Sequence, residues 1–503
     1  DNAEVVQPRK KKYVLLHGQP KQLHSLAVDP GKKEMIAKRP DRPHLARADY
    51  GKGAIYFTSL VNKLACILAN KLSSLDPSGV GIEMESNKPN WFDALNGLPA
   101  LFGSSLCETW ELKRLVIFIK EAFKATSVEK VYLSEEIRDF IANLGILLEE
   151  YLGSKSEDRD FQYWDKSYTL KEAYREKTKF GFSGKEAETD AEYFISILDR
   201  ALSKIDAGIA KALNKKNNTY NSYFINEVVK YEQPEAGYLK PVKFSQKPLP
   251  LFLEGQMHAL RLTGDINTAK AIYKATKASV LYDKELKMYK VTASLLDMPE
   301  EIGRCRVFTP GWLEHESIWL HMEYKYLLEI LKHGLYEEFY EEFKNTLVCF
   351  QKPQDYGRSI LENSSFIVSS AFPDKKLRGN GFVARLSGST AEFIHIWLTM
   401  NLGARPFILN ESKELNLMFN PVLAGWLFDR KGQYAFNFLS LVRVTYHNPK
   451  RKDTFGKNGA KINRISFAAL DGKTVELDSG VIPAPFAGQI RERKIKQIDI
   501  YLE

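Results

Sequence analysis

Apolar residues recur at helical spacing through the middle of the chain. One stripe begins at Leu60, and others follow over roughly 107–125, 132–152, 195–209, 252–278, 317–348 and 390–402. Residues three and four apart share one face of a helix, so each stripe predicts a helix with one buried side. We therefore expect residues 51–405 to be mainly helical. A toroid of paired helices with functional loops at its centre fits this pattern, as do other all-helical arrangements.

The pattern changes after Pro406, where short alternating or β-branched runs are separated by turn residues. The runs at 441–446, 465–470, 474–477 and 495–502, together with the Asp471-Gly472 turn, predict strands. We expect residues 406–503 to form a small C-terminal β-sandwich. Residues 1–50 are expected to be an N-terminal extension or linker.

Composition narrows the classes of function. The chain has 503 residues and a net charge of +9, but its Lys and Arg are mixed with Asp and Glu, and the one dense basic run is 9–12. Nucleic-acid binding is therefore not expected. No apolar run reaches the roughly 18 residues that span a bilayer, and no signal-peptide pattern is present, so no membrane association and a cytoplasmic location are expected.

Cysteine spacing bears on redox chemistry and metals. The four cysteines, which lie far apart without paired spacing, are Cys66, Cys107, Cys305 and Cys349. This spacing is typical neither of a disulfide framework nor of a zinc site. We expect no metal and no organic cofactor.

A Gly/Pro-rich stretch at 88–99 places Trp91 two residues before Asp93. A Trp face can pack against the apolar face of a pyranose ring, and a nearby carboxyl can protonate a leaving oxygen. The structural alternative is a buried aromatic beside a capping Asp. The stretch is a candidate sugar-binding loop.

Two further clusters stand at predicted helix starts. His315 lies in the segment 311–319, where a helix macrodipole disfavours positive charge and a nearby anion would resolve the conflict. The alternative is a histidine satisfied by a backbone carbonyl. The segment 385–392 combines Ser and Thr hydroxyls with Gly388 at a helix start, which is typical of an anion site. An ordinary capping box of Ser389 with Glu392 is compatible with that interpretation.

In this order, the three clusters resemble the inverting glycoside phosphorylases of the cellobiose phosphorylase clan, glycoside hydrolase family 94 and its β-glucan phosphorylase relatives. Trp91-Phe92-Asp93 is similar to the family's Trp-Asn-Asp, whose Asp is the general acid. His315 falls on the phosphate-binding His of the family, and Leu386-Ser387-Gly388 resembles its Leu-Thr-Gly, which completes the phosphate pocket. The resemblance covers about residues 50–500 and is closest to the large phosphorylases of β-1,2- or β-1,3-linked glucans.

The resemblance implies an (α/α)6 barrel followed by the β-sandwich. It also implies inverting phosphorolysis of β-linked gluco-oligosaccharides to α-glucose 1-phosphate and a shortened chain, with Asp93 as the catalytic acid and inorganic phosphate as co-substrate. The implied phosphate-binding residues are His315, Ser387, Gly388, Ser389 and Thr390. The implied substrate-binding residues are Trp91, Phe92, Asn96, Trp312 and Glu314.

The chain also departs from the family. Phe92 and Phe308 stand where the family has Asn and Glu, so we expect a different acceptor subsite. Family members place a sugar-binding segment, a β-sandwich and the first barrel helices before the Trp-x-Asp loop, whereas 90 residues precede it here. We therefore expect a second chain or a missing N-terminal half to complete the barrel, within a homo- or hetero-oligomer.

Two other functions stay open at this point. An inverting β-glucan hydrolase on the same scaffold would use Glu254, Glu314, Glu316 or Glu392 as the base that activates water, and it would be indifferent to phosphate. A non-catalytic carbohydrate-binding or regulatory subunit would show activity only after mixing with an N-terminal partner.

Overall fold

The computed structural model describes residues 1–23, 25–85, 95, 102–235, 237–384 and 387–503. The sites predicted at Trp91, Phe92, Asp93 and Asn96 lie outside the described residues. Within the described ranges, no helix is both long and apolar enough to cross a membrane.

The helical stripes of the sequence correspond to helices in the structure. The helices of the described residues are α1 (Pro30–Ala37), α2 (Leu60–Leu72), α3 (Leu106–Thr126), α4 (Glu135–Gly153), α5 (Arg159–Lys177), α6 (Ala191–Ala212), α7 (Leu253–Leu262), α8 (Ile266–Ala278), α9 (Arg304–Val307), α10 (Leu320–Lys332), α11 (Tyr336–Thr346), α12 (Pro353–Tyr356), α13 (Ser387–Leu402) and α14 (Phe486–Arg491). Side-chain caps fix several starts: Ser59 accepts the Asn62 N–H at α2, and Asp190 accepts the Tyr193 N–H at α6.

Four of these helices form a row in the order α3, α7, α10 and α13, each packed against the next. Three members of the row each have a further helix packed against them: α6 packs on α3, α8 on α7 and α11 on α10. The helices of this row carry a series of ionisable side chains that are in contact from one helix to the next.

Strands are more numerous than the sequence pattern predicts. Those before α10 are β1 (Glu4–Val6), β2 (Tyr13–Leu16), β3 (Gln19–Gln22), β4 (Leu26–Val28), β5 (Ile82–Met84), β6 (Phe102–Ser105), β7 (Lys130–Ser134), β8 (Glu186–Asp190), β9 (Leu213–Asn214), β10 (Thr219–Tyr220), β11 (Tyr223–Glu235), β12 (Tyr238–Pro248), β13 (Tyr282–Asp283), β14 (Met288–Tyr289) and β15 (Ile318–Trp319). Six of them form an antiparallel sheet in the order β3-β2-β12-β11-β6-β5.

The later strands are β16 (Ser364–Ile367), β17 (Gly381–Ala384), β18 (Phe407–Leu409), β19 (Leu415–Met418), β20 (Gln433–Phe438), β21 (Val442–His447), β22 (Ile462–Ala468), β23 (Thr474–Leu477), β24 (Val481–Ile482) and β25 (Gln497–Leu502). β15, β16 and β17 form one three-stranded sheet, and β18, β19 and β24 form another. A five-stranded sheet has the order β20-β21-β25-β22-β23, with β21 and β25 parallel.

The prediction of a mainly α fold, an (α/α)6 barrel with a small β-sandwich, is wrong. The structure is 41% helical and 24% strand, and it contains a curled antiparallel sheet and several further sheets. The largest departure is the hairpin of β11 and β12, which lies inside the region predicted to be helical. Its alternating residues, such as Val228 paired with Phe244, suit a pleated sheet. Helical stripes at 195–209 and 252–278 flank this alternating stretch.

One large buried apolar cluster extends from Ala65 on α2 to Leu502 on β25. Two tyrosine hydroxyls join the helices to the C-terminal sheets: Tyr340 donates to the Val422 carbonyl (2.7 Å) and Tyr446 to the Asn401 carbonyl (2.6 Å). The helices and the C-terminal strands therefore share one core.

Candidate functional site

The beginnings of α3 and α7 are connected through Ser222. The Leu106 N–H donates to the Ser222 carbonyl (2.8 Å) at the start of α3. The Ser222 hydroxyl donates to the Phe252 carbonyl (3.2 Å) and accepts the Gly255 N–H (3.1 Å) at the start of α7. Gly255 is required here, because a Cβ on it would lie 2.2 Å from the Ser222 hydroxyl oxygen.

Main-chain hydrogen bonds continue this connection to α10 and α13. The Leu253 N–H donates to the Val291 carbonyl (3.0 Å), and the Val291 N–H donates to the Ser317 carbonyl (2.8 Å). Ser317 leads into β15, which pairs with β16, and β16 pairs with β17 shortly before α13 begins. The four helices of the row thus begin at one common edge, which we call the entrance edge.

Each of the three predicted site segments leads into a helix of this row. The stretch 88–99 precedes β6 and α3, the segment 311–319 precedes α10, and residues 387–390 form the first turn of α13. Helix N-termini carry unpaired N–H groups and partial positive charge, so an edge with several of them favours an anion.

His315 is fully buried and bonded to the main chain through both ring nitrogens. Its Nε2 accepts the Leu295 N–H (3.0 Å), so that nitrogen carries no proton, and its Nδ1 therefore donates to the Phe308 carbonyl (2.7 Å). Burial lowers the pKa of His315, which favours this neutral form. The geometry is the backbone-bonded alternative considered from the sequence, and it leaves neither ring nitrogen facing a phosphate.

Trp312 and Glu314 lie in the tight turn that holds His315. The Gly311 N–H donates to the His315 carbonyl (2.8 Å), and the His315 N–H donates to the Trp312 carbonyl (3.1 Å). Gly311 has φ +86°, and a Cβ there would lie 2.5 Å from the Phe372 backbone nitrogen, so glycine is needed. The half-buried Trp312 ring packs on aromatic residues of β16 and β17, with its centroid 4.7 Å from that of Phe382.

The first turn of α13 lies against the first turn of α10. A Cβ on Gly388 would be 2.5 Å from Nδ1 of His321. The absence of a side chain on Gly388 therefore allows the His321 ring to lie against the backbone of α13. Ser389 is buried and its hydroxyl donates to the Ser364 carbonyl (3.3 Å), while Thr390 is exposed. The helix begins at Ser387, so Ser389 lies inside it rather than at the cap position of the predicted capping box.

A buried polar cluster joins α3 to α7 near the entrance edge. It consists of Cys107, Glu254 and His258, whose ligand atoms lie within 4.8 Å of one another. The Tyr223 hydroxyl donates to Oε2 of Glu254, and Nε2 of His258 lies 3.7 Å from Oε1 of the same carboxylate. On its other side, Nδ1 of His258 lies 3.1 Å from Oε1 of Glu111.

The electrostatics of this cluster follow from burial and from its carboxylates. Burial raises the pKa of the Cys107 thiol well above its usual value. Burial alone would lower the pKa of His258, but the Glu111 and Glu254 carboxylates outweigh it and the net pKa is raised. Burial would raise the pKa of Glu111, but His258 and Arg114 lower it to about 2.

Ion pairs continue from this cluster along the row. Arg261 of α7 contacts Glu111 of α3 (3.1 Å) and Glu329 of α10 (2.9 Å). At the far end, His321 of α10 lies 3.7 Å from Glu392 of α13. Ionisable side chains therefore connect all four helices.

From the sequence, Glu254 is a candidate hydrolase base, Glu392 is a candidate hydrolase base or the capping-box partner of Ser389, and His258 has no predicted role. The i, i+4 spacing of Glu254 and His258 is a sequence signal that both lie on one helix face. Nothing in the sequence shows that Cys107, some 150 residues earlier, joins them.

No protein-family model matches the chain, and a search of curated proteins finds none that matches it either.

Proposed function

We propose that this chain takes part in the inverting phosphorolysis of β-linked gluco-oligosaccharides, which yields α-glucose 1-phosphate and a shortened chain. The observation that carries the proposal is the entrance edge. The three segments that resemble those of glycoside phosphorylases are far apart in the sequence, yet each leads into a helix that begins at this edge. The segments can therefore contribute to one site.

Phosphorolysis requires an anion-binding site beside a proton donor. A phosphate oxygen attacks the anomeric carbon while the Asp93 carboxyl gives its proton to the glycosidic oxygen. The bond between the anomeric carbon and the glycosidic oxygen breaks. Because phosphate is already anionic, a helix start that stabilises it can take the place of a catalytic base. We propose that phosphate binds at the first turn of α13, where His321 of α10 lies against Gly388.

His315 enters this proposal differently from the sequence-based expectation. Since both of its ring nitrogens bond to the main chain, we assign it to holding the turn that precedes α10. A second chain that completes the site remains part of the proposal, as do β-1,3- or β-1,2-linked substrates.

The test is phosphate dependence. Protein isolated from its native source, with whatever copurifies, is incubated with β-1,3- and β-1,2-gluco-oligosaccharides, with and without inorganic phosphate. We expect glucose 1-phosphate to appear only with phosphate. Equal release of reducing sugar in both conditions would identify a hydrolase and contradict the proposal, and so would the absence of turnover with either substrate.

A further inference from the structure

We propose that Cys107, Glu254 and His258 bind one zinc ion that fastens α3 to α7. Thiolate, carboxylate and imidazole are the three ligand types that zinc takes from proteins. All three side chains are nearly inaccessible, with exposed fractions of 3% for Cys107 and 6% each for Glu254 and His258. This site is separate from the phosphorolysis proposed above and does not depend on it.

The distance between His258 and Glu254 is close to the spacing of two ligand atoms on one ion. Nε2 of His258 and Oε1 of Glu254 are 3.7 Å apart, which is too long for a hydrogen bond. Two ligand atoms bound to one tetrahedral zinc at about 2.0–2.1 Å are about 3.3 Å apart. A small inward movement of two side chains would bring these atoms to ligand spacing.

The surrounding groups orient both ligands. Oε1 of Glu111 lies 3.1 Å from Nδ1 of His258, so the other ring nitrogen, Nε2, is the one that faces Glu254. The Tyr223 hydroxyl donates to Oε2 of Glu254 and leaves Oε1 on the side of His258. A carboxylate behind the imidazole and a donor behind the carboxylate are common around zinc ligands.

Charge balance favours a divalent ion of this kind. When the ion binds, the Cys107 thiol and the His258 imidazolium each release one proton to solvent, and the thiolate and the Glu254 carboxylate together neutralise the two positive charges. The buried site then carries no net charge, which limits the cost of desolvation. A thiolate ligand selects zinc over magnesium or calcium.

The experiment measures metal content and the ligands directly. Protein without a polyhistidine tag is analysed for zinc, then stripped with a chelator and titrated with cobalt(II), whose absorption reports both thiolate bonding and tetrahedral geometry. We expect one ion per chain and a thiolate-to-cobalt charge-transfer band. Cys107→Ser should abolish that band, and His258→Gln should weaken cobalt binding at least about 10-fold.

The matched control is Cys305→Ser. Cys305 is also a buried thiol, but its Sγ donates to the Glu314 carbonyl (3.0 Å) away from the cluster, so cobalt binding should be unchanged. If Cys107→Ser fails to fold, Glu111→Gln tests the same site, because loss of the supporting carboxylate should weaken binding about 10- to 100-fold. Absence of bound zinc, or a charge-transfer band that Cys305→Ser removes, would overturn the proposal, whatever the outcome of the phosphorolysis assay.

Discussion

At the scale of single residues, His315 has the best-defined hydrogen bonds of the candidate site. Its imidazole satisfies one buried N–H, from Leu295, and one carbonyl, from Phe308. A buried main-chain group left without a partner costs about 1–3 kcal/mol. This residue therefore has a role in stability that can be measured separately from any role in binding.

His315→Ala should lower the free energy of unfolding by about 2–5 kcal/mol, because it leaves both main-chain groups unsatisfied. Denaturant unfolding measures this, and His44→Ala, at an exposed position, serves as control and should change little. An unchanged stability together with a raised KM for phosphate would instead restore the phosphate role expected from the sequence.

Asp93→Asn should lower the rate of phosphorolysis by at least about 100-fold, because the amide cannot donate the proton that the leaving oxygen needs. Sugar binding should be largely retained, as measured by calorimetry with an oligosaccharide. Asp471→Asn, in the turn between β22 and β23, is the matched control. Activity within a few-fold of the wild type would remove Asp93 from the mechanism.

The helix starts at two of the site segments could be predicted from the sequence, but the contacts of these segments could not. The helices after 311–319 and at 387–390 follow from local pattern, and α10 and α13 begin there. The hydrogen-bond partners of His315 depend on tertiary folding, since Leu295 lies 20 residues away along the chain. The proximity of Cys107 to Glu254 and His258 of α7 depends on packing between residues that lie still farther apart in the sequence.

At the scale of elements, hydrophobic periodicity predicts helices that have one buried side. It does not predict the strands that lie between helical segments. The stripe of α6 runs without Gly or Pro as far as Gly208, and α6 is a single helix of 22 residues. In contrast, β5 and β6 are short, and each is stabilised by a neighbouring strand rather than by its own sequence. Short strands of this kind have little local signal.

Lys204 joins three helices. It is fully buried on α6, pairs with Asp160 of α5 (3.1 Å), and places its ammonium 3.7 Å from the ring centroid of Tyr151 on α4. Burial lowers the pKa of Lys204 to about 8. The folded protein therefore releases this proton at a pH where the unfolded chain, with an ordinary lysine pKa near 10.5, still holds it.

Between about pH 8 and 10.5 the unfolded state binds more protons at this site, so the contribution of Lys204 to stability rises with pH. Lys204→Met should lack that rise, while Asp160 keeps its ion pair with Lys211 (2.6 Å). The destabilisation caused by the substitution should be about 1–2 kcal/mol greater at pH 9.5 than at pH 7.5. Urea unfolding at both pH values measures it, with exposed Lys473→Met as control, and an equal effect at both would contradict the prediction.

At the scale of the whole molecule, the C-terminal sheets are part of the same folding unit as the helices. The buried apolar cluster is continuous between them, and the Trp397 ring of α13 packs edge-on against Phe436 of β20 with centroids 5.3 Å apart. Removal of these sheets would expose apolar surface on α11 and α13.

A chain that ends at Arg405 should therefore be insoluble when expressed under conditions in which the full chain is soluble. A milder variant, Tyr446→Phe, removes the hydroxyl that bonds to the Asn401 carbonyl and should cost about 1–3 kcal/mol without changing solubility. Calorimetry of this variant should still show one transition. A soluble, folded truncated chain would show that the helices are independent of the sheets.

The main-chain bonds at the entrance edge also determine how the protein can evolve. Donors at Leu106, Leu253 and Val291 belong to the backbone, so every residue type except proline can supply them. Mutations in the loops can thus accumulate and alter which ligand is accepted while the helix starts stay in register.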